Sequence, residues 1–213
     1  MIRVKKSETV PESLITTKRY DGEDTKRHLI EDQHEKCYIC ERRLETDFTI
    51  DHLHGQNDYQ DEKQAWSNLF LACSYCNGKK LNEFPDMLNP SQVNIEDEIQ
   101  QSIDFAHKKA VFNSLNKSTA HDETIKLLER VFNGTNKIRK IKENRFFNRV
   151  MHEVIDFLSD VNEYRKRPSP ETEKIVRDEL SIKENFLGFK YWVIKTDPHL
   201  LEVFAKDIVW NKR

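Results

Sequence analysis

Apolar residues fall into two regimes along this chain. Up to about residue 90 they come in short bursts between polar stretches; beyond it they recur at helical spacing. The bursts predict small elements. Phe48, Thr49 and Ile50 form a β-prone run that ends in Asp51-His52, and Leu69-Phe70-Leu71-Ala72 forms a second. The polar run from Gly55 to Gln64 reads as the loop between two strands. A helix should start at Asn77, run through Gly78, Lys79, Lys80 and Leu81, and end by Phe84-Pro85. Upstream, residues 1–24 read as an arm with Met1 to Lys6 extended. Thr25 is placed to cap a helix from Lys26 to Gln33 with Leu29 and Ile30 inward.

The second regime predicts helices. Ile95, Ile99, Ile103, Phe105 and Ala106 suggest one from Ile95 to about Asn113. Ile125, Leu128, Val131 and Phe132 suggest another, stopped by Asn133-Gly134. A long helix should run from about Asn136 to Tyr164, with Ile138, Ile141, Phe147, Val150, Met151, Val154, Ile155, Leu158 and Val161 as its stripe. The loop Arg165 to Pro170 breaks the chain before a helix over Glu171 to Phe186. Gly188 to Ile194 alternates like a strand, and Pro198 opens a last helix over His199 to Val209. The predicted class is α+β, mostly α: a small ββα unit followed by an α-helical C-terminal region. Three segments follow: an N-terminal arm and helix (1–36), a core (37–90) and a helical region suited to partner docking (91–213).

Composition narrows the setting. Of 213 residues, 37% are hydrophobic and 34% charged, which predicts a soluble chain with a modest core. No apolar run approaches a membrane span, and the charged N-terminus lacks the apolar segment of a secretion signal. Four cysteines in two pairs, with none left over, suit the reducing cytoplasm. The net charge of −2 gives no global attraction to a polyanion, so any nucleic-acid contact must be local. The densest positive region is Lys137, Arg139, Lys140, Lys142, Arg145 and Arg149, which fits a nucleic-acid backbone or an ordinary solvated face.

The candidate chemistry lies between Cys37 and Asn89. Cys37-Tyr-Ile-Cys40 and Cys73-Ser-Tyr-Cys76 each have the spacing of a zinc knuckle, and together they make a four-cysteine structural Zn²⁺ site. The 32 residues between the pairs exceed what a plain zinc ribbon needs, and they contain Asp51-His52 and Asn68, with Asn77 directly after Cys76.

In order and spacing these residues resemble the HNH (ββα-metal) endonuclease motif, with Asn in place of the last His. The resemblance implies hydrolysis of nucleic-acid phosphodiesters, with DNA favoured and RNA possible. It makes His52 the general base, Asp51 and Asn77 the ligands of a catalytic Mg²⁺ or Mn²⁺, and Asn68 a brace for the loop after His52. Lys79 and Lys80, with Lys140 and Arg145, are then candidates for flanking phosphates. Within HNH enzymes, Pro11-Glu-Ser-Leu, Cys37-Tyr-Ile-Cys40-Glu41, the run Asn68 to Cys73, Asn77-Gly-Lys-Lys and Leu128 to Gly134 resemble the PtuB-type nucleases of Septu and some retron anti-phage systems. That likeness implies an effector nuclease working with an ATPase of the same operon. The residues themselves leave two other readings open: a solitary restriction-like HNH nuclease and a non-catalytic zinc-binding scaffold.

Overall fold

Two short antiparallel ladders are set among helices. The computed structural model describes residues 1–55, 59–136 and 138–211. After α1 (Glu12–Thr16) and α2 (Glu23–Asp32), β1 (Thr49–His52) and β2 (Leu69–Ala72) pair antiparallel, and α3 (Ser74–Lys80) follows directly. Then come α4 (Ile95–Glu98), the hairpin β3 (Ile99–Asp104) and β4 (Lys109–Ser114), and α5 (Thr119–Asn133). The chain ends with α6 (Ile141–Lys166), α7 (Pro170–Glu179), α8 (Leu187–Lys195) and α9 (Pro198–Phe204). Among the described residues, no helix is long and apolar enough to cross a membrane.

Helix starts follow local chemistry. Ser118 caps α5 and Ser169 caps α7 by accepting backbone N–H groups, and Asp197 does the same for α9 from His199 and Leu200. Pro170 and Pro198 sit at the first helical position, where a missing N–H costs nothing. The cap of α2 is Gly22 rather than Thr25, whose hydroxyl instead meets Ser13.

Three predicted elements differ. The helix expected from Ile95 stops after one turn and becomes the β3–β4 hairpin. Along it Ile99 and Gln101, then Ala110 and Phe112, turn inward at period two. The strand expected over Gly188 to Ile194 is the helix α8, buried on nearly every side, with Gln101 packed where a Cβ on Gly188 would stand. Finally, α3 begins at Ser74, so Asn77 lies inside it; the Cys73 sulfur accepts from the Cys76 N–H at its start.

One core runs from the arm through the cysteines, both strand pairs and α5, into Phe147, Val150 and Val154 of α6. A second gathers Phe157 and Val161 with α7, α8 and α9. Thus α6 joins both cores through residues spaced three and four apart. Ile138 and Ile141, assigned to that stripe from the sequence, are 82% and 75% exposed, because the inward face begins only at Glu143 and Phe147.

Candidate active site and zinc centre

The first cysteine pair sits on a tight turn: the Glu41 N–H donates to the Cys37 carbonyl at 2.8 Å, and Glu41 takes a left-handed conformation (φ 63°). The second pair spans the junction of β2 and α3. All four sulfurs are buried and lie within 4.8 Å of one another. A tetrahedral Zn²⁺ with Zn–S bonds of about 2.3 Å needs sulfurs about 3.8 Å apart, so the donor set fits a structural zinc. Hydrogen bonds from the three neighbouring thiols hold Cys73 far below the usual thiol range, while burial pushes Cys40 and Cys76 up. A divalent cation is what lets four such groups share one volume as thiolates. Among the described residues, no other cluster of His, Cys, Asp or Glu has this form.

The ladder beside this centre carries Asp51 and His52 at its end, opposite Phe70 and Leu69. Both are buried. The His52 ring meets the Tyr20 ring edge-on at 4.8 Å, and its Nε2 lies 3.0 Å from the Lys63 carbonyl oxygen. Because a carbonyl only accepts, that contact assigns the ring proton to Nε2 and a lone pair to Nδ1. Burial lowers the His52 pKa, so the imidazole is neutral at neutral pH.

Two side chains converge on one oxygen of Asp51. The Tyr38 hydroxyl donates to Oδ2 at 2.6 Å, and the Lys80 ammonium stands 3.6 Å from the same atom. Lys80 Nζ also donates to the His52 carbonyl at 2.7 Å, so one side chain holds the Asp51 carboxylate and the His52 backbone together. Burial raises the Asp51 pKa and lowers that of Lys80, while their mutual attraction opposes both shifts.

Asn68, 2% exposed, closes the connection between the strands. Its Oδ1 accepts the His54 N–H at 2.8 Å, and its Nδ2 donates to the carbonyls of His54 and Glu62, both at 3.2 Å. The His54 ring is engaged with Glu62 at 2.6 Å and lies tilted against the Tyr59 ring, centroids 4.9 Å apart. Part of this connection, residues 56–58, lies outside the described residues. Asn77 is half-buried on α3, and no partner of its side-chain amide is found among the described residues.

The four cations proposed from the sequence separate. Lys80, expected near flanking phosphates, is 1% exposed and wholly internal, because it lies one helical turn after Cys76 and shares its inward face. Lys79 pairs with Glu143 of α6. Lys140 and Arg145 are exposed at the start of α6. Tyr38 and the Lys63 carbonyl are site groups that the sequence reading missed, and Lys80 was named there for phosphate rather than for Asp51. The four-residue step from Cys76 to Lys80 was the available signal for that inward role; a backbone carbonyl leaves none.

Residues 37–83 match the family model described as HNH endonuclease. This segment is similar to the HNH endonuclease domain. The match spans less than half of the chain, and no curated protein and no solved structure matches significantly. The HNH-like segment thus carries the four-cysteine centre at its two ends and the Asp51-His52 pair between them. The similarity points to a metal-dependent nuclease.

Proposed function

We propose that the protein is a metal-dependent endonuclease and that it serves as the effector of an anti-phage defence complex with an ATPase partner. The observation that carries the nuclease reading is the 3.0 Å contact between His52 Nε2 and the Lys63 carbonyl oxygen. With the proton on Nε2 against the Lys63 carbonyl, Nδ1 takes the proton of the attacking water. Asp51 and Asn77 are the residues that would hold a divalent ion, since carboxylate and amide oxygens suit Mg²⁺ or Mn²⁺. When bound, that ion supplies positive charge to the scissile phosphate and the leaving oxygen. Tyr38 and Lys80 orient the Asp51 carboxylate by engaging Oδ2. Asn68 holds the loop that presents the Lys63 carbonyl and so acts through His52. Zinc at the four cysteines would fix α3, and hence Asn77, relative to the β1–β2 ladder.

The defence role rests on the sequence likeness to PtuB-type nucleases and on the net charge of −2, which suits a nuclease whose partner supplies target capture. The test is cleavage of plasmid DNA and of total tRNA with Mg²⁺, Mn²⁺ or EDTA, beside His52→Ala protein of equal zinc content. Metal-dependent cutting that disappears in the variant is the expected result, alone or after addition of the ATPase. Cutting that survives in the variant would refute the assignment of His52, and silence under all conditions with the ATPase present would refute the nuclease.

A further inference from the structure

Gly78 lies in the interior of α3, one residue after Asn77, where glycine is the poorest helix former short of proline. A Cβ built there meets no atom within 4 Å, and its φ is not in the left-handed region. Neither internal packing nor backbone conformation therefore calls for glycine. What the missing side chain does is lower the floor of an open groove between α3 and the start of α6, walled by Ser74, Lys79, Lys140, Ile141 and Lys142.

The charges in this groove are unbalanced. Its two acids are already engaged: Glu143 is buried, pairs with Lys79 and accepts the Lys140 backbone N–H at 2.7 Å, and Asp47 is held by Arg42 and Ser74. Lys140, Lys142 and, one turn on, Arg145 are exposed, with no acidic partner among the described residues. Three uncompensated cations beside a low floor fit a polyanion that approaches the backbone closely.

We propose that this groove is the track for the nucleic-acid backbone flanking the cut, with Gly78 at closest approach and Lys140, Lys142 and Arg145 on the phosphates. The proposal rests on the nuclease reading, because Gly78, which lines the groove, directly follows Asn77 in α3. It is tested by binding, so that its failure is distinct from a failure of catalysis. Zinc-loaded His52→Ala protein, which leaves substrate intact, is titrated by fluorescence anisotropy into a labelled 20-base-pair DNA duplex over a salt series. Adding Lys140→Glu and Lys142→Glu should weaken binding at least tenfold and reduce the slope of log affinity against log salt by about two. Gly78→Ala should raise Tm by about 2–4 °C yet weaken binding several-fold, and in the His52 protein it should lower cleavage. A Gly78→Ala protein that is more stable and binds as before overturns the role of Gly78. Absent binding by the parent protein, or unchanged affinity after charge reversal, overturns the track. If affinity is unchanged and the ATPase no longer co-purifies, the face is a protein-docking surface instead. Metal-dependent cleavage by the unmodified protein reports separately on the nuclease reading.

Discussion

Replacing Asn68 separates hydrogen bonding from packing. Asn68→Ala removes three hydrogen bonds at once: one to the His54 N–H and two to the carbonyls of His54 and Glu62. At a net value of about 1 kcal/mol each, the loss is about 3 kcal/mol. For a chain of this size that lowers Tm by roughly 6–12 °C. Asn68→Asp keeps the volume and the acceptor for His54, but its second oxygen faces two carbonyls that Nδ2 now serves. It forfeits two bonds and adds repulsion at a side chain only 2% exposed, so it should be at least as damaging as alanine. A role in filling space predicts the reverse order, because Asp preserves the shape. Thermal melts of the zinc-loaded proteins give the ranking. Limited proteolysis between His52 and Trp66 checks that the connection has been released. An aspartate variant milder than alanine, or an alanine variant within about 1 kcal/mol of the parent, would refute the reasoning.

Four further outcomes are expected. Cys73→Ser should lose the bound zinc and the cooperative melt together, measured by metal content and by heating, because a four-cysteine centre does not hold with three thiolates. Tyr38→Phe leaves a buried carboxylate short of a donor and should cost about 1.5–3 kcal/mol in urea unfolding; a neutral effect would show that Asp51 does not depend on it. Phe157→Ala opens a cavity in the second core and should cost about 3–5 kcal/mol by the same measurement. Burial lowers Lys6 from 10.5 to about 7, so between those values the unfolded chain binds a proton that the folded chain does not. Lys6 should therefore make stability rise with pH across that window, and Lys6→Met should flatten the rise in urea midpoints between pH 7 and 9.

What could be read from the sequence depended on where each residue's partner lies. The strands of the ββα unit were legible because Ile50 and Leu69 to Ala72 are apolar runs held close by flanking cysteines. The hairpin β3–β4 was not: Ile95, Ile99 and Ile103 satisfy a helical step of four, and the inward turn of Gln101 is settled by Met1 and Gly188, far away in sequence. For α8, alternation of Phe189, Tyr191 and Val193 imitates a strand. Lys190 belongs inside only because its amine reaches Glu179 and stands near the Phe157 ring. Of the site, the ligand-type residues showed in their spacing. The groups that orient them did not, since Tyr38 looks like knuckle filler and Lys63 contributes only a carbonyl.

The first knuckle is closed from a distance. Lys36 donates to the Glu184 carbonyl at 2.9 Å, the Arg43 N–H donates to Asn185, and Glu41 accepts the Gly188 N–H. During synthesis all four cysteines leave the ribosome about 110 residues before Gly188 does, a delay of about 6–22 s at ordinary elongation rates. For that interval the nascent knuckle lacks these anchors, and a metal ion on the four thiolates would be what holds its turn.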